Sequence, residues 1–504
     1  MQLNSPKRIT VNATSAVFQV VVIGVVYFFL YRFLITRLGA HLLGLWSLVV
    51  ATTSVANLAN LGFSSGLVKF VADQNAKNNR ETMGRLIYTA LLSITILYLL
   101  ISVAVMAVAP FLLGKLIEPE YLEVALQLLP WSLASLLINA AGGVFTSALE
   151  GIQKNYLRNF IYSVTSVVFL LLSLMLVPRY GIVGVAVAQN LQAVLVLVYT
   201  FYHTRKNIPT FSLLKWGWNR TAFFSMLNYG YKFQLITVVQ LVVDPVSKAL
   251  LGKFGGLHTL AYYEMAYRLA SQVRSVIVNA YQVTIPVIAH FNHNQKSYLR
   301  TFYLRSFPFV FTSGIIATSA LIFFSAILSR FWIGHYEPVF VNYSIIIALG
   351  MMGNILCVPA YFNYLGIGKL DLLVVVQVID ATLNVLLCLL LSYFSPAYGV
   401  VFAWSIAAVL GAGMILFSFH RQNNLALNEL VKRNNLMLLL IGTAVLVVSA
   451  VLYNYPSYVQ FFGAQNKWTE LLVMGVLFLA LFPINLYRNQ HFTYYKNKLL
   501  NYLR

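Results

Sequence analysis

Apolar runs of about twenty to thirty residues succeed one another along nearly the whole chain, divided by short polar breaks. A helix needs roughly 20 apolar residues to cross the hydrocarbon of a bilayer. On that length the pattern predicts fourteen spanning helices, near 11–35, 42–66, 84–110, 121–149, 156–177, 181–202, 221–247, 260–289, 300–329, 338–364, 371–394, 398–419, 435–454 and 468–487. The first run is longer than the core of a signal peptide and has no small-residue cleavage site behind it, so it is expected to stay attached as a span.

The cations give these spans a direction. With the N-terminus inside and the spans alternating, inner segments hold 23 of the 34 Lys and Arg residues and outer segments hold 8, while Lys232, Arg268 and Arg274 fall within spans. Cytoplasmic loops collect Lys and Arg, so an even number of spans with both termini in the cytoplasm is expected. No loop on either face exceeds about 20 residues, too few for a soluble domain between spans.

The chain also repeats itself. Gly151-Ile152-Gln153-Lys154 recurs as Gly366-Ile367-Gly368-Lys369, Pro178-Arg179-Tyr180-Gly181 as Pro396-Ala397-Tyr398-Gly399, and Leu34–Gly39 as Leu250–Gly255. The offsets of 215, 218 and 216 residues separate copies by six spans, an even number, so both halves share one orientation. Parallel duplicated halves are a transporter architecture. The expected organisation is an N-terminal lobe over 1–208, a C-terminal lobe over 209–422, and a further helix pair with its tail over 423–504. The fold class is all-α and polytopic.

Composition changes the picture only by exclusion. Over 504 residues, 60% are hydrophobic and 9% charged, where a soluble domain carries about 25% charged residues. A net charge of +21 would suit nucleic acid, but the basic residues are scattered among the breaks, so no nucleic-acid partner is expected. Cys357 and Cys388 lie inside apolar runs and read as packing residues, with no metal or disulfide spacing. No Walker loop or nucleophile constellation stands out, so neither an enzyme nor a cofactor is expected.

Polar groups inside spans are the candidate chemistry, because hydrocarbon penalises them. In the eighth span Glu264, Arg268, Ser271, Ser275, Asn279 and Gln282 fall on one stripe at about 100° per residue, with Tyr267 and Arg274 at its edge. Such a face lines either a water-filled cavity or a seam of interhelical hydrogen bonds; its full-depth run favours the cavity. The second span, its repeat partner, aligns Trp46, Thr53, Asn57, Asn60 and Ser64. Lys232 and Asp244 lie in the seventh span, where Lys232 either enters the cavity or snorkels to the cytoplasmic face. Asp380 in the eleventh span is either a protonated, hydrogen-bonded carboxyl or part of an ion path.

Asp244–Gly256 followed by Ala261–Leu269 resembles the seventh-to-eighth span signature of Wzx-type polysaccharide flippases. Leu61–Gly66 after the second span and Pro178–Gly184 before the sixth are similar to the same family. The resemblance implies a bacterial inner-membrane protein of the superfamily that includes MATE exporters and MurJ-type lipid II flippases. It implies alternating access and a substrate of undecaprenyl-pyrophosphate-linked oligosaccharide, with membrane lipids and glycan-assembly proteins as partners. The family's basic cavity residues fall here on Lys232, Arg268 and Arg274, with Glu264 opposing Arg268. Asn57, Asn60, Asn279, Gln282 and Trp46 are expected at the sugars, and Asp244 and Asp380 at a coupling ion. The alternative is a MATE-type exporter of cations, which would want carboxylates dominating the cavity. A major-facilitator transporter would carry a Gly-x-x-x-Asp-Arg-type loop after the second span, which Phe70–Arg85 lacks.

Overall fold

Backbone N–H and C=O groups find no water in hydrocarbon, so each apolar run must satisfy them within its own helix. The computed structural model describes residues 6–54, 63–211, 217–282, 284, 288, 296–426, 433–453, 474–476 and 478. Its long elements are α1 (Pro6–Ser54), α2 (Phe63–Ala76), α3 (Arg80–Leu116), α4 (Pro119–Gly151), α5 (Asn155–Asn207) and α6 (Arg220–Gln282). They continue with α7 (Lys296–Trp332), α8 (Pro338–Leu356), α9 (Val358–Ile367), α10 (Asp371–Phe394), α11 (Gly399–Gln422) and α12 (Arg433–Tyr453). There is no strand among the described residues. Among the described residues eight helices are long and apolar enough to cross a membrane, and the protein is a multi-pass, all-α membrane protein.

Of these helices α5 contains two of the expected spans, and α1 and α6 each contain one and the greater part of a second. The break between spans is a single glycine, at Gly39 (φ 79, ψ 171) in α1, Gly181 (φ 56, ψ −138) in α5 and Gly256 (φ 82, ψ 167) in α6. Backbone there is essentially open to glycine alone. The tenth expected span is interrupted at Cys357, between α8 and α9. The fourteenth, 468–487, lies mostly outside the described residues.

Local turns recur at the repeat spacing. At the end of α4, Gln153 has φ 60, and Lys154 N–H donates to Leu149 O at 2.9 Å. At the end of α9, 215 residues on, Gly368 has φ 81, and Lys369 N–H donates to Tyr364 O at 3.0 Å. Both are left-handed helix caps with the same bond pattern. The structure re-registers the other two matches. The turn at Gly39 corresponds to that at Gly256, not Gly255, because these two share nearly the same φ and ψ. Gly399 corresponds to Gly184 rather than Gly181. A Cβ on Gly184 would meet Leu176 O at 2.7 Å, and one on Gly399 would meet Leu391 O at 2.4 Å, each the carbonyl eight residues back.

The chain forms two compact units, Met1–Ala261 and Tyr262–Arg504. This division by contact falls within α6, whereas the expected lobe boundary at 208/209 follows the sequence repeat. In the first unit α4 packs along α5, α1 lies on both, and α2 sits against α3 and α4. Close approach is set by glycine: a Cβ at Gly44 would stand 1.9 Å from Leu257 O, and one at Gly66 would stand 2.5 Å from Met226 O. His41 stacks on Tyr121 at 5.8 Å and meets His258 at 5.4 Å, each histidine two residues past a glycine turn.

In the second unit α8 packs between α7 and α11, α10 lies on α11, and α12 lies on α7 and α8. Ile277, Tyr281, Val310, Ile355 and Phe362 make one buried cluster behind the polar face of α6. Tyr281 and Ser306 hydroxyls share a hydrogen bond of 2.7 Å. Many hydroxyls within the spans bond to their own helix, as Thr165 does to Ile161 O and Ser163 to Asn159 O, which lowers the cost of carrying small polar residues in hydrocarbon.

Candidate functional site

After the Gly256 turn, α6 carries the predicted stripe on a helix whose reverse side is anchored by the Ile277–Tyr281 cluster. Glu264 sits at the buried end, 3% exposed. Its Oε1 accepts from Arg268 Nε at 3.1 Å and lies 3.0 Å from Arg268 Nη2. The arginine side chain keeps 35% of its surface. A guanidinium has five N–H donors, so these two contacts orient Arg268 without using its whole donor set. They also place an anion against it, which cuts its net positive field.

Arg274 lies about 9 Å further along the helix and about 120° round from Arg268. Its Nε donates to Asn354 Oδ1 of α8 at 2.6 Å. Among the described residues no carboxylate pairs with it, so this half-buried cation is the less neutralised of the two. Ser271 and Ser275 donate back to Arg268 O (2.9 Å) and Gln272 O (2.8 Å), so their hydroxyls are engaged within the helix. Asn279 is half-buried and Gln282 exposed, so the stripe runs from a buried salt bridge to an open end.

Aromatic rings flank the buried end. Tyr267 stacks on Tyr263 at 5.7 Å and meets the edge of Trp404 of α11 at 5.4 Å. Asn354 and Trp404 were not marked by the sequence, since each joins the face only through helix packing. A tryptophan within an apolar span was the one available signal for Trp404.

The remaining predicted residues are described each in its own unit, Asp380 in the second and Asp244 and Trp46 in the first. Asp380 of α10 backs onto Gly411, where a Cβ would stand 3.2 Å from Asp380 Oδ1; that oxygen is buried with no hydrogen-bond partner among the described residues. In the first unit Asp244 pairs with Lys248 at 2.8 Å. Trp46 is 6% exposed and packs on Tyr31, ring centres 6.2 Å apart, and its indole N–H has no hydrogen-bond partner among the described residues. Lys232 is on the first limb of α6, its side chain outside the described residues, and Asn57 and Asn60 also lie outside them. No cluster of three metal-ligating side chains occurs among the described residues.

Comparison with known proteins bears on both fold and family. Lipid II flippase MurJ, in an inward closed conformation, is similar over 94% of this chain and 98% of its own, at 15% identity and a TM-score of 0.73. An inward-facing multidrug resistance MATE family transporter of the MOP superfamily is similar over 80% of this chain and 94% of its own, at 16% identity and a TM-score of 0.71. A MOP superfamily transporter from Pyrococcus furiosus is similar over 83% of this chain and 96% of its own, at 14% identity and a TM-score of 0.64. At such identities the likeness shows the fold, which is MATE/MurJ-like, as the Wzx-type resemblance implied. Comparison with curated protein sequences gives no match. The sequence profile described as polysaccharide biosynthesis protein matches residues 9–292, more than half of the chain, and the chain therefore belongs to the polysaccharide biosynthesis protein family.

Proposed function

We propose that this protein is a flippase, moving oligosaccharide linked to undecaprenyl pyrophosphate from the cytoplasmic to the periplasmic face of a bacterial inner membrane. The observation that carries the reading is a polysaccharide-biosynthesis family match on a chain with the fold of a lipid II flippase. Polar head and prenyl tail set opposite demands. The head needs a hydrated, cation-bearing path, and the tail stays in hydrocarbon. Rocking of two duplicated lobes, 1–208 and 209–422, would expose that path to each side in turn.

In this reading Arg274 and Lys232 hold the pyrophosphate, and Arg268 joins them as a cation oriented by Glu264. A planar guanidinium suits the paired oxygens of a phosphate. Asn279, Gln282, Asn57, Asn60 and Trp46 meet the sugars, and the pair 423–504 borders the tail. Both termini lie in the cytoplasm. Asp380, a carboxyl within a span, is the feature that a MATE-type cation exporter would use, and it gives that second reading its foothold.

The test is made in cells. Loss of the gene should abolish a surface glycan and leave drug susceptibility unchanged, and Lys232→Ala with Arg274→Ala should reproduce the glycan loss at normal expression. Full surface glycan in the deletion, with new drug sensitivity, would instead favour the exporter.

A further inference from the structure

A second cationic feature stands away from the polar stripe. The first limb of α1 and the first limb of α5 enclose a cleft of about 510 Å³, lined by Phe29, Phe33, Leu170 and Leu174 together with Arg32 and Arg37. The α1 residues share one helix face, at i, i+3, i+4 and i+8 from Phe29. Phe29 is 51% and Leu174 41% exposed, and both arginines are exposed. On a spanning helix such a surface meets lipid.

Neither guanidinium is paired with any carboxylate among the described residues. Thr36, between them, donates its hydroxyl to Arg32 O at 2.7 Å and brings no negative charge to either. Arg37 and Arg32 precede the Gly39 turn by two and seven residues, or about 3 Å and about 10 Å along the helix. That places both near the end of the span, within reach of the headgroup layer. An arginine at this depth is stabilised by an anion that comes with the membrane. Free phosphate would satisfy the two cations but gain nothing from four apolar walls, whereas a lipid satisfies both halves of the cleft.

We propose that Arg32 and Arg37 bind the phosphate of an anionic phospholipid whose acyl chain lies along Phe29, Phe33, Leu170 and Leu174. The site is independent of the transported cargo, and the proposed topology enters only in naming the leaflet as periplasmic. A lipid held there would fix the outer end of the first limb of α1 against α5.

The experiment uses the full chain, delipidated in detergent, with dioleoyl phosphatidylglycerol as probe and native mass spectrometry as readout. Wild type should retain the probe at least fivefold better than dioleoyl phosphatidylcholine, and the probe should raise its unfolding temperature. R32Q/R37Q should lose that preference. Should that variant not fold, L170W/L174W, which fills the apolar half of the cleft, should lose the lipid equally. Equal retention of the two lipids by wild type, or undiminished retention by a folded variant, overturns the proposal. Displacement of the lipid by millimolar inorganic phosphate also overturns it, in favour of a free-phosphate site.

Discussion

Removing Arg268 tests what the Glu264–Arg268 pair contributes. In Arg268→Ala the buried Glu264 carboxylate loses contacts at 3.1 and 3.0 Å. Taking one partner from a fully buried ion pair costs about 3–5 kcal/mol, because a charge is left desolvated. Here the carboxylate side is 4% exposed but the arginine side 35%, so water reaches part of the pair. That exposure lowers the expected loss to about 1–3 kcal/mol. At roughly 2–4 °C per kcal/mol for a domain of 150–250 residues, the unfolding midpoint should fall by roughly 2–12 °C. The assay is thermal unfolding in detergent of wild type, Arg268→Ala, Glu264→Gln and the double variant. Gln keeps the shape and removes the charge, so the double variant should recover most of the loss. A double variant no more stable than Arg268→Ala, with no coupling in the cycle, would refute the argument that charge burial sets the cost.

The repeated helix caps make opposite predictions: Gln153→Gly should stabilise by up to about 1 kcal/mol and Gly368→Ala should destabilise by about 1–2 kcal/mol, since left-handed backbone penalises a Cβ. Paired unfolding curves check the two signs. Gly44→Val should prevent a monodisperse folded protein on size exclusion, because its Cβ would stand 1.9 Å from Leu257 O. Asp380→Asn should be at least as stable as wild type, since an amide avoids desolvating a carboxylate. If Asp380 couples transport to an ion, the same variant should lower transport at least tenfold, measured as surface glycan formed per unit of expressed protein.

Much of the fold was legible because lipid imposes a length. The run 371–394 became α10 residue for residue, and the stripe from Glu264 to Gln282 became one helix face. What periodicity could not see was how little chain a turn requires. Gly39, Gly181 and Gly256 reverse the path in one residue, so paired spans appear as continuous helices. Residue identity also misled the repeat register at Gly181 and Gly255, where backbone conformation and carbonyl packing select Gly184 and Gly256 instead. In the candidate site, Glu264 and Arg268 were readable as an i,i+4 pair within one helix. Asn354 beside Arg274, Trp404 beside Tyr267 and Gly411 behind Asp380 were not, because each contact joins two helices distant in sequence.

Transport itself is the most direct measurement. The full chain is reconstituted in vesicles holding an undecaprenyl-pyrophosphate-linked oligosaccharide with a labelled sugar, and a glycan-cleaving enzyme is added outside. Wild-type protein should expose nearly the whole labelled pool to cleavage, while protein-free vesicles and vesicles with the Lys232→Ala, Arg274→Ala variant should release only the outer leaflet's half. Cleavage that stops at half with correctly folded wild-type protein would contradict the account.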